Sequence, residues 1–174
     1  MNIILIGFKS CGKTTIGKKL AKINQKKFID TDTIIQEKYK REYGSQLSII
    51  EIYKHLGESK FRNIENEAVA GLVLLNNTII ATGGGAILNP DNLILLKRIG
   101  CLVFLDVSLT AAINRIYKDK ILDNLFLGTK KSIKNITHIF KSRLNIYRSA
   151  ADFSVKVDNL TEEMIVNEII MYLK

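Results

Sequence analysis

The stretch Gly7-Phe8-Lys9-Ser10-Cys11-Gly12-Lys13-Thr14 follows a short aliphatic run, Asn2-Ile3-Ile4-Leu5-Ile6, and opens a segment with helical periodicity. Its spacing is G-x-x-x-x-G-K-[ST], here set between a predicted strand and a predicted helix. Gly7 and Gly12 let the backbone turn tightly, so that successive N–H groups can face phosphate oxygens. The helix that opens near Lys13 points the positive end of its dipole at the same anion. In such a loop Ser10, Cys11, Gly12 and Thr15 complete the cradle, Lys13 reaches the β- and γ-phosphates, and the Thr14 hydroxyl ligates Mg²⁺. The competing reading is a glycine turn with a solvated lysine. Only the backbone N–H of Cys11 is needed, and no histidine is near it in sequence, so a catalytic thiol is not expected.

Outward from this loop, short aliphatic runs alternate with longer helical stretches. Strands are expected at residues 2–7, 28–30, 78–82, 101–106 and 153–158. Helices are expected from Thr14 to Ile23, with Ile16, Leu20 and Ile23 on one stripe, from Thr31 to about Tyr43, and from Ser48 to His55. A long helix should run from about Glu58 to Leu75, burying Phe61, Ile64, Ala68 and Leu72. Ser108 is the expected N-cap of a further helix, and another covers about Ser132 to Ser149. Thr161 caps the last, with Glu162 and Glu163 in its first turn. Five short strands alternating with helices make an α/β fold, a parallel five-stranded sheet flanked by helices and forming one domain over residues 1–174. Ligands in such sheets sit beyond the carboxyl ends of the strands. Residues 7–14, 30–32 and 83–85 all fall at those ends.

Composition narrows the partners. Of 174 residues, 47% are apolar and 25% charged, a globular balance that argues against disorder. No apolar run approaches the about 18 residues that a membrane span needs, and the first is too short for a signal segment, so a cytoplasmic location is expected. The net charge of +9 invites a nucleic-acid reading, but the lysines are scattered and tryptophan is absent. A solvated basic surface is the better account. Cys11 and Cys101 form neither a metal-ligand spacing nor a disulfide framework, and His55 and His138 lie too far apart for a local metal motif.

Several residues outside the loop carry chemistry. In Asp30-Thr31-Asp32 the two carboxylates alternate at a strand end, where Asp30 can hold Mg²⁺ and Asp32 can take a proton from an attacking hydroxyl. The alternative is that Asp32 only caps the next helix. Arg62 and Glu65 stand three apart on the long helix, with Glu58 a turn before, and an exposed ion-pair ladder would explain them equally well. Arg143 shares a helical face with Ile136, Phe140 and Tyr147; it either snorkels or meets an anion, for which its planar fork suits a carboxylate. Gly83-Gly84-Gly85 closes a strand and lets backbone N–H groups approach a ligand with no Cβ in the way.

The segments GFKSCGKT, FIDTD at 28–32, SIIEIYKHLGESKFRNIE at 48–65, TGGGAILNPDN at 82–92 and RLNIYRSAAD at 143–152 together resemble the shikimate kinases, almost end to end. The resemblance implies a P-loop NTPase fold of the nucleoside-monophosphate-kinase-like type. It also implies ATP-dependent phosphorylation of the shikimate 3-hydroxyl, in the route to chorismate and aromatic amino acids, with Mg²⁺. By match, Lys13 and Thr14 serve the phosphates and the metal with Asp30, and Asp32 orients the reacting hydroxyl. Arg62 and Arg143 grip the shikimate carboxylate, Glu65 and the Gly83–Gly85 backbone complete that pocket, and Arg115 packs against the adenine. A monomer needing neither nucleic acid nor membrane is expected, with a substrate-binding helical segment near 32–75 and a lid near 118–131.

Two features depart from that pattern. The segment between Asp32 and Ser48 is longer than usual. The lid stretch Lys120-Ile121-Leu122-Asp123-Asn124-Leu125-Phe126 lacks the family's Arg-Pro, and no arginine occurs between Arg115 and Arg143. Lys120, nearest that position, is the candidate lid cation. The rival readings are a kinase for another polyol acid such as gluconate or for a nucleotide, a nucleotide-dependent switch, and a kinase-derived binding protein without turnover. Neither N-K-x-D nor D-x-x-G occurs, which argues against a GTPase.

Overall fold

A computed structural model describes residues 1–118 and 133–173. Five parallel strands, β1 (Asn2–Ile6), β2 (Lys27–Asp30), β3 (Thr78–Ala81), β4 (Gly100–Asp106) and β5 (Phe153–Lys156), lie in the order β2-β3-β1-β4-β5. The connecting helices are α1 (Lys13–Ile23), α2 (Thr31–Tyr43), α3 (Ile49–Ala70), α4 (Pro90–Ile99), α5 (Leu109–Lys118), α6 (Ile133–Ala150) and α7 (Glu162–Tyr172). β1 is central and buried along its whole length, as a strand covered by helices on both faces must be. Its partners β3 and β4 lead away to opposite sides, so the crevice at a topological switch point opens where β1 and β3 end. The register Leu5 to Ala81 and Asp30 to Ala81 brings the ends of β1, β2 and β3 to one edge. No helix among the described residues is long and apolar enough to cross a membrane.

Local signals explain most of the boundaries. Ser48 and Glu51 form a reciprocal capping box at the start of α3. Thr161 accepts from the Met164 N–H, and Lys19 on α1 pairs with both Glu162 and Glu163 at 2.6 Å. The two helices expected over 48–75 form one run with a kink at Gly57, whose φ of 74° breaks the helical path. That run stops at Ala70 and tightens into a 3-10 turn over Gly71–Leu74, still burying Leu72. Phe61, Ile64 and Ala68 are buried as expected, in a second small core that joins α3 to Ile35 and Tyr39 of α2.

Three differences from the sequence reading have physical causes. Ile23 does not continue the Ile16–Leu20 stripe; it closes α1 and is 59% exposed. Helix α4 was not anticipated from residues 86–100. Its start is nonetheless specified by the Asn89 cap, which accepts from the Asp91 N–H, and by Pro90 in the first turn. Asn2, within the aliphatic run, is a buried polar clamp: its amide donates to Leu75 O and Ile99 O and accepts from the Thr78 N–H. These bonds tie the starts of β1, β3 and β4 together.

Candidate active site

The turn after β1 is held by unusual backbone. Gly7, Ser10 and Gly12 have φ of 144°, 61° and 102°. A Cβ on Gly7 would lie 2.9 Å from both Cys11 Sγ and Leu105 O, so the tight path admits only glycine. Helix α1 opens at Lys13 with no side-chain cap, and Ser10, Cys11, Gly12, Thr14 and Thr15 line the cleft at its start. First-turn N–H groups without a cap are the feature that attracts an anion. Lys13 Nζ donates to Gly7 O at 2.8 Å and Phe8 O at 3.0 Å, which fixes its ammonium along the rim of the loop. Cys11 is buried under the loop with Sγ 3.6 Å from Lys13 Nζ, a packing position.

The two carboxylates after β2 divide their tasks. Asp30, not Asp32, is the N-cap of α2: its Oδ1 accepts from the Asp32 N–H at 3.0 Å. Its Oδ2 accepts from the Thr14 hydroxyl at 2.7 Å, which joins the phosphate loop to the strand end. The Asp32 side chain is therefore left to face the cleft. Burial, then the neighbouring Asp30 charge, push its carboxyl up to about 6, against the pull of Lys13 and Lys9.

Arginine and glycine build the far wall. Arg62 Nη1 donates to Glu65 at 2.6 Å, and Glu65 is only 3% exposed, so the pair is no solvated ladder. Glu58 is exposed and takes no part in it. Gly83 and Gly85 give clearance for side chains: a Cβ on Gly83 would lie 2.8 Å from Asp32 Oδ1, and one on Gly85 would lie 2.6 Å from Arg62 Nη1. Of the glycine-turn N–H groups expected to approach a ligand, that of Gly83 donates to Thr31 Oγ1. Arg143 Nη1 donates to Gly84 O at 3.4 Å, and the hydroxyl of Tyr147 donates to the same oxygen. Burial pushes the Tyr147 phenol well up, so it stays a donor.

These groups share one cleft of about 760 Å³, lined by Lys13, Thr14, Asp32, Arg62, Glu65 and Arg143 among others. Arg115 reaches it from α5 and donates to Ser10 O and Val157 O, across the mouth of the phosphate loop. Lys120 and the rest of the expected lid over 119–131 lie outside the described residues. His55 is an exposed residue bonded to the Tyr39 hydroxyl, and His138 is exposed. Sequence reasoning passed over three residues. Thr31 and Tyr147 position the glycine turn by contacts that no local pattern encodes, and Lys9 lines the cleft from a variable position of the loop motif.

The oxygen donors Thr14 and Asp30, beside a phosphate cradle, suit Mg²⁺, which takes one or two protein oxygens and completes its shell with water and phosphate. The floor of the cleft thus pairs an anion cradle with a half-buried carboxylate, and its wall offers two planar guanidinium groups. That is the equipment for moving a phosphoryl group onto a hydroxyl of a small carboxylic acid.

The shikimate kinase family model matches residues 9–174. The shikimate kinase of a Sulfurihydrogenibium species is 36% identical over 173 residues, covering 99% of this chain and 98% of the relative. That of Enterococcus faecalis is 34% identical over 173 residues, at 99% and 98% coverage. The structure of shikimate kinase from Acinetobacter baumannii in complex with shikimate superposes with a TM-score of 0.86 at 28% identity, covering 99% of this chain and 92% of that one. A gluconokinase from Sinorhizobium meliloti, at 15% identity and a TM-score of 0.61, shares the fold alone.

Proposed function

We propose, starting from the fact that this chain belongs to the shikimate kinase family, that it transfers the γ-phosphoryl group of ATP to the 3-hydroxyl of shikimate, giving shikimate 3-phosphate and ADP in chorismate and aromatic amino-acid biosynthesis. The observation that carries this reading is the position of Asp32. It lies in one cleft with the phosphate-loop Lys13 and with the Arg62–Glu65 pair and Arg143, so an acceptor held by the arginines presents its hydroxyl to the carboxylate.

The residues divide the work as follows. Arg62, kept in line by Glu65, and Arg143 hold the shikimate carboxylate through planar N–H forks. Ionised Asp32 accepts the hydroxyl proton as the oxygen bonds to the γ-phosphorus. The bond from that phosphorus to the β,γ-bridging oxygen breaks, and its electron pair leaves with ADP. Lys13 places positive charge beside the phosphates. Arg115, at the loop mouth, offers a flat cationic surface to the adenine. Thr14 and Asp30 would hold Mg²⁺, which when bound neutralises charge on the β- and γ-phosphates. Lys120 is assigned as the lid cation. In this reading the enzyme works as a monomer on a small-molecule substrate, with neither nucleic acid nor membrane as a partner.

A coupled ADP-release assay with ATP tests this, using shikimate, gluconate and nucleoside monophosphates as acceptors. Shikimate is expected to be the substrate by a wide margin. Turnover of gluconate or a nucleotide instead, or of none, would overturn the reading.

A further inference from the structure

Lys9 stands in the phosphate loop two residues beyond Gly7 and lines the cleft with Asp32 and Lys13. It is partly buried, and the charges it feels most are those two groups, Asp32 attracting and Lys13 repelling its ammonium. Among the described residues it makes no ion pair and no side-chain hydrogen bond within contact distance. A half-buried ammonium with three free donors is costly unless an anion arrives to meet it.

The acceptor edge of the cleft creates that need. Asp30 and Glu65 add their negative charge to that of Asp32, beside which the kinase reading brings the transferred phosphate to rest. Lys13 also acts on Asp32, but its ammonium is bonded to the loop carbonyls Gly7 O and Phe8 O. A phosphate attached to the substrate beside Asp32 would face repulsion from the carboxylates, and Lys9 brings to it an ammonium whose donors no acceptor among the described residues takes. We infer that Lys9 is a catalytic residue that contacts the phosphoryl group on the acceptor side, during transfer and in the phosphorylated product. The inference rests on the kinase reading above and adds a residue to it. The hydroxyl proton still goes to Asp32 and the bridging electron pair still leaves with ADP; Lys9 supplies charge to the moving group and takes no proton.

Shikimate and its 3-phosphate differ only in that phosphate, so their affinities separate this role from a structural one. The dissociation constants of both are measured by calorimetry, with initial rates, for the wild type, Lys9→Met and Lys9→Arg. Methionine keeps the unbranched stem and removes only the ammonium. Loss of a charge-assisted bond should weaken product binding about tenfold or more in Lys9→Met, leave shikimate within about twofold, and lower kcat about tenfold with the KM for ATP little changed. Lys9→Arg should recover most of the product affinity, which also shows that the position tolerates a change without loss of the fold. If Lys9→Met distinguishes product from shikimate as well as the wild type does, or loses both affinities in parallel, Lys9 is not a phosphoryl contact. A wild type that binds neither compound overturns the shikimate reading and this assignment with it.

Discussion

A Cβ placed on Gly85 would fall 2.6 Å from Arg62 Nη1, and one on Gly83 would fall 2.8 Å from Asp32 Oδ1. Two charged groups on the acceptor side are thus laid against glycines of a single turn. In Gly85→Ala the guanidinium must move, and because it is the end of a flexible side chain it can do so at little cost to the fold. The φ of −104° at Gly85 is also open to alanine. The expected result is a KM for shikimate raised about tenfold, with stability changed by less than about 1 kcal/mol. Gly84→Ala is the comparison, since its Cβ would meet nothing nearer than 3.6 Å. Steady-state kinetics and thermal melts of both variants check the difference.

Arg62 and Arg143 reach the cleft from α3 and α6, where Arg62 is bonded to Glu65 and Arg143 to Gly84 O. A lysine at either position supplies the charge without the planar fork. Arg62→Lys and Arg143→Lys should each weaken shikimate binding by about 1.5 to 3 kcal/mol, about tenfold or more, and change ATP affinity far less. Titrations with each ligand decide this. Equal losses for both would mean that the arginines support the fold or the nucleotide.

Much of this arrangement was legible in the chain because it depends on neighbours in sequence. The strand-loop-helix around Gly7–Thr14, the alternation in Asp30-Thr31-Asp32 and the helical spacing of Arg143 with Tyr147 are all local patterns. What was not legible depends on distant chain meeting in space. The Gly83–Gly85 turn reads as a backbone approach to ligand, yet its clearance is filled by Asp32 and Arg62, and the Gly83 N–H by Thr31. Tyr147 counts as an apolar face residue until its hydroxyl is seen on Gly84 O. Helix α4 was hidden because Leu93, Ile94, Leu95 and Leu96 are consecutive and blur the helical period. Only Asn92 and Leu96 of that helix are buried. Asn2 shows the same limit, since its three partners come from the ends of other elements.

Lys13 combines a structural and a chemical task. Its ammonium bonds to Gly7 O and Phe8 O, but these carbonyls border a cleft that water can enter, so truncation should cost the fold only about 1 kcal/mol. Charge beside the phosphates is needed throughout transfer. Lys13→Ala should therefore reduce kcat by about a thousandfold or more, several kcal/mol of barrier, while its melting curve stays cooperative. Near-normal turnover in the purified variant would remove Lys13 from the mechanism.

Asp32 should show opposite signs for activity and stability. Its carboxyl is pushed up to about 6 by burial and by Asp30, with Glu65 adding to the rise and Lys13 and Lys9 opposing it. The unfolded chain holds the same group near 3.8. Above pH 6 the native state carries an ionised group that burial disfavours. Between about pH 6 and 4 the native state takes up a proton that the unfolded chain does not, so Asp32 ceases to oppose folding as the pH falls. Asp32→Asn removes the ionisation and keeps the shape. It should abolish at least about 99% of turnover, because an amide cannot accept the hydroxyl proton. At pH 7.5 it should also be more stable than the wild type by on the order of 2 kcal/mol, after allowance for solvent screening. That advantage should shrink through pH 6 and vanish near pH 4. Urea unfolding of both proteins at pH 7.5, 6 and 4.5 measures it, and a variant less stable than the wild type at pH 7.5 would mean that the Asp32 charge supports the fold.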